Sequence, residues 1–142
     1  MIVFIVIAIL FLDQVSKFLV TKNLFLGQSI VVIKGIFHLS LVHNRGAAFG
    51  LLKNQVPLFV VTSIIAVFLI FLELKKRKRV LIYEVSLALV LAGALGNLID
   101  RAIFGYVIDF LDFRIWPVFN IADSSISIGA VLLGLSILRQ KK

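Results

Sequence analysis

Apolar residues in this chain gather into four long runs, at 2–20, 57–74, 80–103 and 118–138. As helices, each is long enough to cross the roughly 30 Å hydrocarbon layer of a bilayer. Pro57 suits the first turn of the second run. The stretch 21–56 is different. Lys22, Lys34, Arg45 and Lys53 interrupt it, and Gly27, Gly35, Gly46 and Gly50 punctuate it. Within it, residues 30–33 and 36–42 are short and rich in β-branched and aromatic side chains. They predict two strands joined by a turn at Lys34-Gly35, a small sheet lying on the membrane over about 23–56. Asn44 then opens a turn of small residues, Arg45-Gly-Ala-Ala-Phe49, where backbone can approach another group closely. Gly105, Trp116 and Pro117 break the stretch 104–117, which reads as a loop or short interfacial segment. Trp116 and Tyr106 suit headgroup depth.

The predicted fold class is therefore an all-α polytopic membrane protein of one domain: four transmembrane helices, a small extracytoplasmic β-sheet and a short interfacial helix or loop. Composition agrees, with 61% hydrophobic residues and a mean hydropathy of +1.13, well above a soluble domain. The first run has no basic leader and no small-residue cleavage pattern after it. It reads as a retained span rather than a removed signal peptide.

Charge orients the spans. The net charge is +8, but eight of the fifteen Lys/Arg lie in two clusters, at 75–79 and 139–142, each directly after an apolar run. That is the footprint of cytoplasmic anchoring rather than of a groove tracking nucleic-acid phosphates. Four spans put both termini on one face, and both basic clusters mark that face as cytoplasmic. The segments 21–56 and 104–117 then lie outside, and Asp13, Asn44, Arg101, Asp109, Asn120 and Asp123 converge on the outer leaflet.

Polar groups in a bilayer need a partner or a task. Asp13 and Lys17 stand at i, i+4 on one helix face, either as a surface ion pair or facing the bundle in support of a site. Gly93, Asn97 and Arg101 form one stripe, with Gly96 and Asp100 beside it. Asp100 next to Arg101 reads as a structural pair, and Asp112 as a solvated loop residue. His38 and His43 lack further ligands nearby, so no metal is expected, and without cysteine there is no thiolate chemistry. Asp109 and Asp123 remain. Two carboxylates in an apolar rim do not both ionise cheaply, so a pair that met would share one proton. The ionised member would deprotonate water and the protonated member would donate to a carbonyl oxygen. That is peptide hydrolysis without metal, cofactor or covalent intermediate. The alternative at this point is a structural polar network at two helix ends. A small transporter or channel subunit, or a scaffold, are the other readings; apolar inner halves of spans one, two and four disfavour an ion path.

Five segments carry a resemblance: Asp13-Gln-Val-Ser-Lys17, Asn44-Arg-Gly-Ala-Ala-Phe49, Gly93-Ala-Leu-Gly-Asn97-Leu-Ile-Asp-Arg101, Val107-Ile-Asp109-Phe110 and Phe119-Asn120-Ile-Ala-Asp123. In this order, over nearly the whole chain, they resemble lipoprotein signal peptidase (signal peptidase II), the bacterial membrane aspartic peptidase family. The resemblance implies that Asp109 and Asp123 are the catalytic dyad. It implies that Asp13, Lys17, Asn44, Gly93, Asn97, Arg101 and Asn120 position the dyad, the substrate backbone or its lipid. It further implies a site near the outer leaflet of the bacterial inner membrane and a prolipoprotein substrate carrying diacylglyceryl-Cys, cut just before that Cys. Globomycin-type inhibition, no cofactor and a monomer are the remaining implications. The chain departs from the family pattern at Ala92-Gly93, where two glycines are frequent, at Arg45, and in a short 104–117 loop.

Overall fold

The computed structural model describes residues 1–46, 54–75 and 80–140. Four helices, α1 (Ile2–Asn23), α2 (Val56–Leu74), α3 (Leu81–Phe104) and α4 (Ile121–Gln140), carry the apolar runs, and three strands, β1 (Ser29–Ile33), β2 (Phe37–Asn44) and β3 (Val107–Asp112), lie between them. All four helices are long and apolar enough to cross a membrane. The expected spans agree with them to within about three residues. Pro57 does occupy the first turn of α2. At the other end of α3, Gly105 adopts φ 74° and its N–H caps the Arg101 carbonyl at 3.1 Å, the left-handed stop that glycine makes without a Cβ penalty. The turn at 44–49 and the basic loop lie partly outside the described residues.

Helix α3 is the hub, packed against each of the other three. Nine of its residues are buried, whereas α2 buries none, so α2 stands as the loosest wall of the bundle. Small residues explain the closeness of α3 to α4. A Cβ on Gly93 would collide with the Ala122 carbonyl oxygen, and one on Gly129 would lie 2.8 Å from the Ser86 carbonyl oxygen. With no hydrophobic driving force between helices in lipid, such close backbone approach is what holds them together.

The strands form an antiparallel sheet in the order β1-β2-β3. The two expected strands are there, with their turn at Gly35 (φ 74°). The segment expected as a loop is corrected: residues 107–112 form β3, with Val42 opposite Asp109 and Asn44 opposite Val107. The β-branched run Val107-Ile108 and the alternation after it outweigh the helix breakers on either side. A register shift between Leu39 and Val42 marks a bulge. Leu41, Ile108 and Phe110 pack on Val20 and Leu24 at the end of α1, so an apolar core welds the sheet to the bundle. Asp112 is a second correction. It is buried rather than solvated, and accepts hydrogen bonds from the Ser40 hydroxyl at 2.7 Å and from Arg114 at 2.9 and 3.1 Å. Burial pushes its carboxyl up, but these bonds outweigh it and hold the pKa below the usual range.

Gly93→Val tests the helix contact. It forces α4 off α3 and is expected to cost roughly 1–3 kcal/mol, read as a fall of several degrees in Tm in detergent, whereas Gly134→Ala, whose Cβ meets open space, leaves Tm unchanged within a degree or two.

Candidate active site

The site lies where α1 and α3 end, α4 begins and β3 passes between them. Its foundation is an ion cluster. The Lys17 ammonium lies 2.8 Å from Asp13 Oδ2 and 2.9 Å from Asp100 Oδ2, all three side chains at most 2% exposed. Of the two readings of Asp13–Lys17, the bundle-facing one is therefore observed. Asp100 is corrected: its partner is Lys17 on another helix, not Arg101. Neighbours in a helix point about 100° apart and do not face each other. Arg101 instead lies over the Phe59 ring of α2, 5.0 Å from its centroid. Gln14, which no periodicity singles out, donates to Asp13 Oδ2 at 3.1 Å and Asp100 Oδ1 at 3.2 Å.

Each carboxylate in the cluster also accepts from a backbone N–H on another element. Asp13 Oδ1 receives Ala122 N–H at 2.9 Å, and Asp100 Oδ2 receives Ile108 N–H at 3.0 Å. Two charges on α1 and α3 thereby fix the first turn of α4 and the strand β3. The remaining reach of Lys17 goes to Asn97 Oδ1, at 3.3 Å.

Asp109 and Asp123 are served by three amides. Asn97 Nδ2 donates to Asp123 Oδ1 at 2.8 Å, Asn120 Nδ2 to Asp109 Oδ1 at 2.8 Å, and Asn44 Nδ2 to Asp109 Oδ2 at 2.9 Å. Each amide is oriented by its own oxygen, which accepts from a group that only donates. Lys17 serves Asn97, the Gly46 N–H serves Asn44 at 2.9 Å, and the Asp123 N–H serves Asn120 at 2.8 Å. A flipped amide would set oxygen against carboxylate, so the orientation follows from chemistry. Asn120 also joins the two acids directly. The backbone N–H of Asn120 donates to Asp123 Oδ2 at 3.3 Å, completing a reciprocal cap on α4 with Asp in the place usually held by Glu or Gln.

The seven expected supporting residues thus take three roles. Asp13, Lys17, Asn44, Asn97 and Asn120 form the hydrogen-bonded frame, and Gly93 seats α4 by packing. Arg101 lines, with Asp109 and Asp123, a cleft of about 570 Å³ between α2, α3 and α4. Asp109 is 1% exposed. Burial first, then the neighbouring Asp123 charge, raise its pKa to about 7. His43, on the far face of β2, stacks on Tyr106 at 3.9 Å and has its pKa lowered by burial and by Arg45. Among the described residues no three His, Cys, Asp or Glu side chains gather to hold a metal ion.

Four membrane-length helices that bring buried Asp109 and half-buried Asp123 to one cleft define a polytopic membrane protein with a paired-carboxylate site. The profile of signal peptidase (SPase) II matches residues 5–139. Lipoprotein signal peptidase of Halothermothrix orenii is 46% identical over 142 residues, covering 100% of this chain and 98% of the relative. That of Moorella thermoacetica is 50% identical over 128 residues, covering 88% and 84%. A bacterial membrane enzyme solved by the in meso method at 2.3 Å resolution superposes with a TM-score of 0.92 at 34% identity, over 99% of this chain and 89% of the other. The chain belongs to the signal peptidase II family, and so to the aspartic peptidases.

Two outcomes test the site. Lys17→Met strands two buried carboxylates and is expected to lower Tm by about 10 °C, with partial recovery in Lys17→Met/Asp100→Asn. Asp109 has a raised folded pKa, so the native state keeps a proton that the unfolded chain has released between about pH 4 and pH 7, and stability falls as pH rises through that window. Asp109→Asn removes this loss: its Tm exceeds that of the wild type at pH 8, and the difference shrinks toward pH 4.

Proposed function

We propose that Asp109 and Asp123 are the catalytic dyad of an endopeptidase that removes the signal peptide from diacylglyceryl-modified prolipoproteins. The observation that carries the proposal is the convergence of Asn44, Asn97 and Asn120 on these two carboxylates at the rim of one cleft. A structural polar network would leave its carboxylates closed off by cations. Here Lys17 is paired with Asp13 and Asp100, and Asp109 and Asp123 line the open cleft with Arg101 across from them.

The chemistry follows from the asymmetry of the pair. Asp109 is buried, with its pKa near 7, and holds the shared proton. Asp123 stands in the first turn of α4, where the helix dipole favours the carboxylate, and is the base. Asp123 takes a proton from water as its oxygen attacks the scissile carbonyl carbon, and Asp109 donates to the carbonyl oxygen. Collapse of the tetrahedral intermediate returns a proton to the leaving nitrogen, the α-amine of the lipidated Cys, and the signal peptide departs with a new carboxylate. Arg101, over Phe59 at the cleft wall, adds a positive charge to the cleft that favours the ionised member of the pair.

Orientation belongs to the same proposal. The basic residues at 75–79 and 139–142 support an orientation with both termini in the cytoplasm, which would set the Asp109–Asp123 end of the bundle at the outer leaflet of the bacterial inner membrane. A lipid-anchored Cys presents its peptide bond at that depth. The protein acts as a monomer, and globomycin-type peptides compete for the cleft.

Purified protein and a lipidated prolipoprotein peptide test this. Asp109→Asn and Asp123→Asn are each expected to lower kcat at least about 10³-fold while the protein stays folded, and the unlipidated peptide is cleaved far more slowly. Equal cleavage of both peptides would overturn the substrate; cleavage by either variant at the wild-type rate would overturn the dyad.

A further inference from the structure

The cleft does not stop at the carboxylates. It continues below them, between α2 and the α3–α4 pair, past Thr62, Ser63 and Ala66 on one side and Ala94 and Ser127 on the other. This depth is hydrocarbon in a bilayer, where a hydroxyl without an acceptor is costly. Helical Ser and Thr ordinarily return their hydroxyls to a carbonyl one turn back. Thr62 does so, to Leu58 O at 2.9 Å, as does Ser124, to Asn120 O at 3.0 Å. Ser125 reaches across to Leu89 O at 2.7 Å. Ser63 and Ser127, on opposite walls of the cleft, have no hydrogen-bond partner among the described residues.

Helix rise sets their depth relative to the site. Ser127 follows Asp123 by four residues, and Ser63 follows Phe59, the ring beneath Arg101, by four. Each therefore stands one turn, roughly 6 Å, below the catalytic layer on the face it shares with the residue above. An extended peptide rises about 3.3 Å per residue, so 6 Å is about two residues from the bond that is cut. On the peptidase reading, this is where the substrate comes up out of the membrane. A signal peptide crosses lipid as a helix, with its amides satisfied internally. A helical carbonyl is hydrogen-bonded and shielded, so attack requires the segment before the cut to be unwound. Unwinding at that depth strips several amides of their partners, and the cleft has to replace them.

We propose that Ser63 and Ser127 form a hydroxyl clamp for the substrate backbone about two residues before the scissile bond. The pair holds that segment extended and sets its register against the dyad. Neither residue touches the reacting atoms; both are positioning residues. The occupant is peptide rather than acyl chain, because an acyl chain gives a hydroxyl nothing to bond. The clamp rests on the peptidase reading above.

The test uses a diacylglyceryl-Cys peptide that retains its signal segment, and a second version in which the amide two residues before the Cys is replaced by an ester. Ser63→Ala and Ser127→Ala are each expected to lower kcat/KM about 5-fold, and the double variant about 20-fold, chiefly through kcat. Ser63→Thr and Ser127→Thr, which keep the hydroxyl, retain most activity. The ester lowers kcat/KM of the wild type about 5-fold but costs the double variant nothing further, which a merely structural role of the serines would not produce. A double variant within twofold of the wild type, or an equal ester effect in both proteins, overturns the clamp. So does a double variant that gains activity and changes its preference between short and long acyl chains, since the cleft floor would then hold lipid. A wild-type protein that leaves the lipidated peptide uncut overturns the peptidase reading and the clamp together.

Discussion

Lys17 has its ammonium enclosed by Asp13, Asp100 and Asn97, with almost no access to solvent. A charge taken out of water costs several kcal/mol unless protein groups replace its hydration. Here the replacement comes from α1 and α3. The two carboxylates that neutralise Lys17 each use a second bond to hold a backbone N–H, one on α4 and one on β3. Removing the cation would leave two uncompensated acids; removing either acid would free the element that carries Asp123 or Asp109. Such a cluster adds little net stability compared with an apolar core, and its effect is to specify one arrangement.

The same cation reaches the chemistry through one amide. By occupying the Asn97 oxygen, Lys17 turns the Asn97 nitrogen toward Asp123. Asn120 and Asn44 are turned likewise by backbone N–H groups. Asp109 and Asp123 thus take their side-chain hydrogen bonds from neutral amides, while the Arg101 charge acts on them only across the cleft. A counter-ion would fix both carboxylates as anions, whereas amides support an anion yet leave room for one proton on the buried partner. The sheet contributes through placement. With β3 bridged to Phe119 just before α4 and its hydrophobic side on Val20 and Leu24, Asp109 meets Asn120 at the helix start despite its separation along the chain.

Much of this was legible from residue order. Apolar run length located all four helices, because lipid imposes a length and forbids unpaired backbone. The i, i+4 spacing of Asp13 and Lys17 and the stripe through Gly93, Asn97 and Arg101 put the right side chains on the right faces. What failed were pairings across elements. Asp100 was matched with its neighbour Arg101, although adjacent helical residues diverge, and its true partner is Lys17 on another helix. The third strand was hidden between Gly105 and Trp116-Pro117, whose breaking signals dominate a short window, while its pairing with β2 is a tertiary fact. Asp112 reads as solvated by type, and its bond to Ser40, the diagonal neighbour on β2 two residues from its partner His38, is a tertiary fact. The role of Gln14 lay in plain sight in its motif, with no periodic signal to separate it from a surface residue.

The central claim is that this frame holds one proton in the carboxylate pair, on Asp109, at the pH where the protein works. Carboxyl carbon resonances of aspartate-labelled protein in detergent micelles, followed from pH 4 to pH 9 and assigned with Asp109→Asn and Asp123→Asn, measure it most directly. The account predicts that the Asp109 carboxyl stays protonated at pH 6 and titrates with a midpoint near 7. Two carboxyls that both ionise below pH 5, each indifferent to loss of the other, would contradict it.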